Sequence, residues 1–417
     1  MRNSIPGLVL VAIFPLVALG GASFTGLGDL PEGIYESTAH GIAANGSVVV
    51  GSSVSASGIE AFRWQNGTMT GLGDLAGGVF ESIARAVSND GAIVVGSAQS
   101  STGLQAARWQ EGAIVGLGYL SGGTASEALD LSADGSVIVG WGTSPVGDEA
   151  VRWQANTIIG LGDIPGGAFN SRAYAVSADG SVIVGRGQPN GDEEPARWVG
   201  DTVTALGYLT TPGYLGSCLA VTPDGTMAVG YSWSAGGIEA FHWQAGIMTG
   251  LGFLPEGAFS QAMDISADGS IIVGSSDSLE GSRAVIWDVG GIHDLKDVLT
   301  QQFHLDLGSW QLEEAIAVSD DGREIAGNGV NPDGNREAWI VHLPPIVKAD
   351  FDRDGDVDVD DLSLLRACFS GPCVPLSNPS TCGTRDLDED SDVDQLDFGL
   401  FQRCFSGTGI DPNPKCE

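Results

Sequence analysis

Ala86-Val87-Ser88-Asn89-Asp90-Gly91-Ala92-Ile93-Val94-Val95-Gly96, then Ala107-Arg108-Trp109-Gln110, then Gly116-Leu117-Gly118-Tyr119-Leu120, is a pattern this chain writes repeatedly. Its hairpin glycine recurs at Gly46, Gly91, Gly135, Gly180, Gly225, Gly269 and Gly322, at spacings of 45, 44, 45, 45, 44 and 53 residues. A tryptophan recurs alongside, at Trp64, Trp109, Trp153, Trp198, Trp243, Trp287 and Trp339, so both series have seven members. A fixed period of this length marks a repeat architecture.

Each repeat holds four candidate strands. Asp-Gly or Asn-Gly between apolar residues favours a type I′ hairpin, because both residues tolerate positive φ. In one unit it joins a first strand (Ala173 to Ser177) to a second (Ser181 to Gly185). A third strand carries the tryptophan, and a turn such as Asn66-Gly67 leads to a fourth ending in Gly-Leu-Gly. Four strands in about 45 residues is the size of a propeller blade. The fourth-strand motif starts at Gly26, Gly71, Gly116, Gly160, Ala205 and Gly250, with a weaker copy at Gly291-Ile292-His293-Asp294-Leu295. Its first copy precedes the first hairpin, and the last repeat stops after its tryptophan strand, at Leu343. The N-terminal strand is therefore expected to complete the last blade and leave no bare sheet edge. The predicted fold is mainly β: a seven-bladed β-propeller over residues 24–343, with a small α-helical calcium-binding domain behind it. A parallel β-helix is the competing architecture.

Units carrying Gly-Leu-Gly-Asp-Leu, Ser-Ala-Asp-Gly-Ser and Ala-Arg-Trp resemble the HAF-type extracellular repeats of exported bacterial proteins, over about residues 24–343. That resemblance implies an exported repeat domain and supplies no reaction. The last unit departs from the pattern through an insertion, Lys296 to Glu314, where Leu295, Val298, Leu299 and Phe303 have helical spacing. Arg63, Arg108, Arg152 and Arg197 before the tryptophans are expected to pair with acids of neighbouring blades. Tyr35, Phe80, Phe169 and Tyr214 read as packing residues.

Residues 344–349 read as a stiff linker around Pro344-Pro345. Beyond it, residues 347–417 carry 16 Asp+Glu against 6 Lys+Arg, a net of −10 in 71 residues. The acids are ordered: Asp350, Asp352, Asp354, Asp356, Asp358 and Asp361 in one run, Asp386, Asp388, Asp390, Asp392, Asp394 and Asp397 in the other. Each run fills loop positions 1, 3, 5, 7, 9 and 12, with an apolar residue at 8. A hard cation such as Ca²⁺ takes about 6–8 oxygens, and this spacing supplies them, with position 7 ligating through its main-chain carbonyl. Two Ca²⁺ sites are expected, loose without metal because the carboxylates repel.

The duplication extends further. Cys368 to Cys404 and Gly371 to Gly407 repeat the 36-residue offset of Asp350 to Asp386, so each loop should lead into one short helix ending at Gly. A loop and a single helix, twice, is similar to the dockerin module, over about residues 348–408. That resemblance implies two bound Ca²⁺ and docking onto a cohesin-like or other cell-envelope partner. Three features depart from it: Ser391 replaces Gly at position 6 of the second loop, which weakens that site; Val359-Asp360 and Gln395-Leu396 replace the Ser/Thr recognition pair; and an insertion, Pro372 to Gly383, separates the halves.

The whole chain has 417 residues and a formal net charge of −35, which excludes nucleic acid as a partner. With 63 Gly, 42% hydrophobic and only 17% charged residues, it is too apolar for a disordered acidic tail. Arg2, the apolar stretch Leu8 to Leu19 and the small residues Gly20 to Ser23 have the layout of a secretory signal over 1–22; an uncleaved anchor is the other reading. No other segment is long and apolar enough to span a membrane, so a secreted or cell-surface location is expected for the mature chain. Five of the six cysteines, Cys368, Cys373, Cys382, Cys404 and Cys416, lie in the tail, as disulfides of a small exported module would. Cys218 is expected to be a buried free thiol. The five histidines occupy unrelated repeat positions and no nucleophile elbow or His-Glu metalloprotease pair occurs, so no catalytic residue is assigned.

A single ligand site must break repeat symmetry. Trp141, Tyr231 and Trp233 do so, and are expected in loops leading to third strands, with Asp148 and Glu149 nearby to bond sugar hydroxyls. These features favour a secreted, non-catalytic binding or scaffold protein with an extracellular polysaccharide as one possible ligand. The alternative is a polysaccharide-active enzyme, a glycoside hydrolase or lyase on a propeller scaffold.

Overall fold

The computed structural model describes residues 21–417 except 156, 168, 346, 352, 353, 372, 373, 375–381, 383, 384, 389, 414 and 417. The signal reading falls almost wholly on residues outside these. The chain divides into two compact units, one starting at Ala22 and ending at Leu343, the other beginning at Pro344. Among the described residues no helix is long and apolar enough to cross a membrane.

The first unit is mainly β, built from four-stranded antiparallel sheets taken in chain order. One set runs Gly77–Val87, Ile93–Ser100, Gly103–Gln110 and Ala113–Gly116. It joins the preceding set through a single parallel bridge, Ile59 to Glu81. The last set, Gln311–Val318, Glu324–Val330 and Arg336–His342, takes its fourth strand from Ser23–Gly26, which pairs antiparallel with Arg336–His342. Successive four-stranded sheets, each packed on the next, make the β-propeller class of fold.

Neighbouring sets are stitched by a repeated bond pattern. Glu60 Oε1 accepts from Gly73 N at 3.0 Å, and the next set's Ser82 donates to Gly73 O at 2.9 Å while accepting from Ala61 N at 3.0 Å. The first and last sets are joined in the same way: Glu337 accepts from Gly28 N at 2.9 Å, Ser37 donates to Gly28 O at 2.6 Å, and Ala338 N donates to Ser37 Oγ at 3.1 Å. Asp320 N likewise donates to Ala44 O at 2.8 Å, as Ala178 N does to Pro223 O at 2.9 Å.

Two details differ from expectation. The first hairpins are not type I′. Gly91 has φ 73°, but Asp90 before it stays at negative φ, which is a type I turn closed by a left-handed glycine. Side chains explain the choice: Ser88 donates to Asp90 Oδ1 at 2.7 Å, Ala92 N donates to the same oxygen at 2.9 Å, and Ile93 N donates to Ser88 Oγ at 2.9 Å. The I′ geometry appears instead between third and fourth strands, as at Asn66 (φ 51°) and Gly67 (φ 76°).

Trp339 is also out of register. It pairs with Gly26 as Phe62 pairs with Gly71, whereas Trp64 pairs with Met69. The tryptophan position of the last set is Val341, opposite Phe24. Trp310, from the insertion, packs edge-on against Phe24 with centroids 5.1 Å apart and supplies the missing ring. A side chain at Gly327 would lie 2.2 Å from the Trp339 ring, so glycine there makes room for it. The insertion does form a short helical segment, Leu295–Asp297 running into Val298–Gln302, with Leu295 and Leu299 fully buried.

The repeat arginines do not meet acids. Arg63 Nε donates to Gly91 O at 3.3 Å and Arg197 Nη2 to Gly225 O at 3.4 Å, each reaching the hairpin of the next set. Arg63 and Arg108 also bond Gln65 and Gln110. Tyr35 and Tyr214, read as packing residues, are exposed at 39% and 49%. Cys218 is buried and free, and burial raises its thiol pKa.

Two acids inside the first unit set a pH dependence. Asp130 and Asp264 accept from Val176 N and Val318 N of the next set, each at 2.8 Å. Although part of each residue's surface stays accessible, burial pushes their carboxyls up to about 7, against the lowering effect of those amides. Unfolded aspartates titrate near ~3.9. The folded state therefore holds these protons more tightly, and their contribution is full below about pH 4 and declines as pH rises towards 7. Asp134 and Asp179 run the other way. Bonds from Ser136 and Ser181 amides hold them low, so their contribution exists above about pH 4 and is lost as pH falls through their folded values. Thermal melting should show a negative slope between pH 4.5 and 7 (about those limits), flattened in Asp130→Asn/Asp264→Asn. An unchanged slope in that double variant would refute the assignment.

Candidate metal centre

In the second unit each acidic run leads into one helix, Val359–Arg366 and Gln395–Cys404. Both begin with a capping box: Asp358 with Asp361 in the first, Asp394 with Asp397 in the second. The acids at positions 9 and 12 thus shape the helix start as well as the loop. The helices end before the glycines expected to stop them. Gly371 (φ 90°) and Gly407 (φ 92°) turn the chain beyond each helix so that it docks on the opposite loop.

That docking is reciprocal. Val357 N donates to Ser406 Oγ at 3.0 Å and Val357 O accepts from Ser406 N at 2.9 Å. Val393 N donates to Ser370 Oγ at 3.0 Å and Val393 O accepts from Ser370 N at 3.0 Å. The two valines, position 8 of each loop, are fully buried in one core with Leu365 and Phe401. Disulfides Cys368–Cys382 and Cys404–Cys416 fasten the two helix ends. Cys373 lies outside the described residues.

The carboxylates gather in matching groups. Oxygens of Asp356, Asp358 and Asp361 lie within 4.8 Å of one another, and so do those of Asp392, Asp394 and Asp397, which are the same positions 36 residues on. A further group joins Asp386, Asp388 and Asp390. Asp361 and Asp397 have no exposed surface and close their loops in parallel fashion, accepting from Phe351 N and Leu387 N at 2.6 Å each. Asp350 accepts from Gly355 N at 3.0 Å and Asp386 from Ser391 N at 2.8 Å. Asp354 accepts from Asp356 N at 3.2 Å, as Asp390 does from Asp392 N at 3.1 Å. Asp352 lies outside the described residues. Asp356 and Asp392, expected to ligate through main-chain carbonyls, also have side-chain oxygens within these groups.

Such a donor set is all oxygen, anionic and partly buried, which fits a hard divalent cation and not a soft one. Burial, then Asp397, Asp390 and Asp386, raise the Asp388 pKa, as expected where like charges crowd. Ser391 sits at φ 78°, a region that costs a non-glycine residue about 1 kcal/mol. Ser391→Gly should therefore tighten cation binding at the second loop roughly 5-fold, read by calorimetry; no change would show that the strain is absorbed elsewhere.

The residues expected to bind a ligand on the first unit are not in loops. Trp141 lies within Val137–Ser144, Tyr231 and Trp233 within Met227–Ser234, and Asp148 and Glu149 within Gly147–Gln154. Strand pairing there runs further than composition suggests, because the flanking Ser-Gly contacts extend the hairpin. Asp148 pairs with Arg172 at 3.0 Å, whose guanidinium lies 4.5 Å over the Trp141 ring. Trp141 Nε1 donates to Glu127 Oε2 at 3.0 Å, and Glu127 pairs with Arg85 at 2.8 Å. Glu149 belongs to the stitching pattern: it accepts from Gly162 N at 3.2 Å as Glu60 does from Gly73 N. Trp233 packs on Tyr214, centroids 4.6 Å apart. Burial, then Tyr174, raises Tyr231.

Sequence reading missed Arg85, Glu127, Arg172 and His40. Burial, then Arg85 and Arg336, brings His40 down to about 3, so it is neutral at physiological pH. A signal was available for His40 and Arg85, which stand where the other sets carry Leu129, Tyr174, Leu219, Met263 and Ile316. Glu127 and Arg172 share a position that also holds Thr38, Ile83, Ser217, Gln261 and Glu314, and do not stand out.

No protein-family model and no curated protein matches the chain. Among solved structures it is similar to an oligogalacturonate lyase from Vibrio parahaemolyticus, at 10% identity over 78% of this chain and 99% of that one, with a TM-score of 0.50. It also matches a putative TolB from Agrobacterium tumefaciens (12% identity, 66% and 94% covered, TM-score 0.40). A third match is the β-propeller domain of the Trilobed protease from Pyrococcus furiosus (11%, 63% and 84%, TM-score 0.43). At these identities the likeness concerns fold alone.

Proposed function

We propose that the chain is an exported, non-catalytic binding or scaffold protein. Its first unit is a seven-bladed propeller, closed by Ser23–Gly26, that serves as an interaction surface. Residues 350–417 form a dockerin-like attachment module that holds two Ca²⁺, the second more weakly, and docks on a cohesin-like or other envelope partner. One observation carries this reading: carboxylate groups repeat at a 36-residue offset on loops whose position-8 valines cross-dock. Asp350, Asp354, Asp356, Asp358 and Asp361 would hold the first ion with Asp352, and Asp386, Asp388, Asp390, Asp392, Asp394 and Asp397 the second, Asp356 and Asp392 through their main-chain carbonyls. The ions would supply charge neutralisation that lets both loops close on the shared core.

Calorimetry on the full chain should count two Ca²⁺ with dissociation constants on the order of 0.1–1 mM or tighter. Pull-down from envelope and secreted fractions should retain a partner with calcium and lose it with chelator. No heat at millimolar calcium would sink the module's role. The second reading, a polysaccharide-active enzyme, draws on the fold likeness to an oligogalacturonate lyase. New reducing or unsaturated ends after incubation with mixed polysaccharides would favour it over the first.

A further inference from the structure

In most sets of the first unit the tryptophan side of the groove is closed by the preceding set. Trp109, Trp153, Trp198 and Trp287 are 4%, 4%, 1% and 3% exposed. At Trp243, half-buried like Trp64, the Arg197 guanidinium lies 5.8 Å over the ring and puts a cation at the wall of the groove. The groove where the last set meets the first is built differently. Ile340 stands opposite Thr25, in the register that Arg63 holds opposite Thr70 and Arg197 opposite Thr204. An isoleucine lays no guanidinium across the next tryptophan, so the half-buried Trp64 has an apolar neighbour where Trp243 has a cation.

What remains is a cleft of about 280 Å³ with Trp64 and Ile340 on its apolar side. Its polar side carries hydroxyl and amide groups from Thr25, Asn45, Ser47 and Asn66. Glu324 and His342 complete the rim, bonded to each other through Oε1 and Nδ1, and Arg323 Nη2 lies 3.2 Å from His342 Nε2. This volume is at the low end for ligand pockets, about 300 Å³, so it suits one ring and not a chain. A flat indole face with uncharged donors and acceptors around it matches a molecule with apolar C–H faces and a hydroxylated edge. The single acid is already engaged by a histidine, and one aromatic makes no cage, so a cationic ligand fits less well.

We propose that this seam cleft binds a single neutral sugar ring, stacked on Trp64 and hydrogen-bonded by Asn45, Asn66 and Glu324, with His342 holding the Glu324 carboxylate in place. The site takes its uncharged apolar wall from the junction of the last set with the first, which places Ile340 where Arg197 stands in the larger cleft at Trp243. It is separate from Trp141 and Tyr231 and makes no use of the calcium module.

The test uses the full chain with calcium and four probes, glucose, galactose, mannose and N-acetylglucosamine, each titrated to about 50 mM, with choline as a cation control. At least one sugar should saturate with a dissociation constant of roughly 1–10 mM by saturation-transfer NMR and calorimetry. Ile340→Arg places a cation over Trp64, as Arg197 does over Trp243, and Trp64→Val copies what Val341 already does in the last set. Each should weaken binding at least about 10-fold (~1.4 kcal/mol) while leaving the melting transition in place. Four silent sugars, preference for choline, or binding that survives both substitutions would overturn the site. Sugar binding lost in Trp141→Ala but kept in Trp64→Val would do so too, while leaving the wider binding role standing.

Discussion

Deleting Ser23–Gly26 lowers the melting temperature of residues 22–343 by roughly 10 °C and makes the protein prone to associate. The strand supplies the outer edge of the last set, pairing Phe24 with Val341 and Gly26 with Trp339. Without it, Trp339 and Val341, both fully buried, lose the cover of Phe24. Loss of a large buried aromatic contact typically costs about 3–5 kcal/mol, and for a unit of this size each kcal/mol shifts melting by about 2–4 °C. The uncovered edge of Arg336–His342 would present unpaired backbone groups, a template for pairing with another chain. Scanning calorimetry with light scattering reads both effects. A shift below about 2 °C would mean that the N-terminal strand only decorates a fold held together elsewhere.

Asp361→Ala and Asp397→Ala should each reduce the calcium count from two to one and weaken the affected loop roughly 100-fold, about 3 kcal/mol. Both carboxylates are fully buried and accept amides from opposite ends of their loops. Removing either therefore takes away a ligand, a helix cap and the bond that closes the loop. Because Val357 and Val393 each dock on the segment that follows the other loop's helix, damage in one loop should also lower affinity in the other by a smaller factor. The control is Asp360→Ala, which removes an exposed acid from the same helix turn. If Asp360→Ala and Asp361→Ala behave alike, the response is bulk charge and not coordination.

The repeat was legible because glycine and Ser-x-Asp signals act locally. Gly46 through Gly322 all adopt left-handed φ, and the side-chain stitching of each turn follows from residues within five positions. What local signals could not place was register across long separations. Trp339 has the right sequence context for the tryptophan series, yet sits two residues off it, because Phe24 and Trp310 arrive from distant segments to fill the space. Acids were expected to neutralise the repeat arginines from composition alone, but hairpin carbonyls of the next set stand closer.

In the tail, the side-chain oxygens of position 7 join those of 9 and 12 only in the folded unit, but the spacing of the aspartates by itself determined that each run forms a loop leading into one helix. The same holds for the hairpins and for the number of repeats. Only the tertiary structure decided that Glu149 is a stitching residue, that Trp141 is enclosed by Arg172 and Glu127, and that Ile340 lines the same cleft as Trp64. Those outcomes depend on which set lies beside which. Contacts between residues some 300 positions apart, such as Gly28 with Glu337, leave no trace in local spacing.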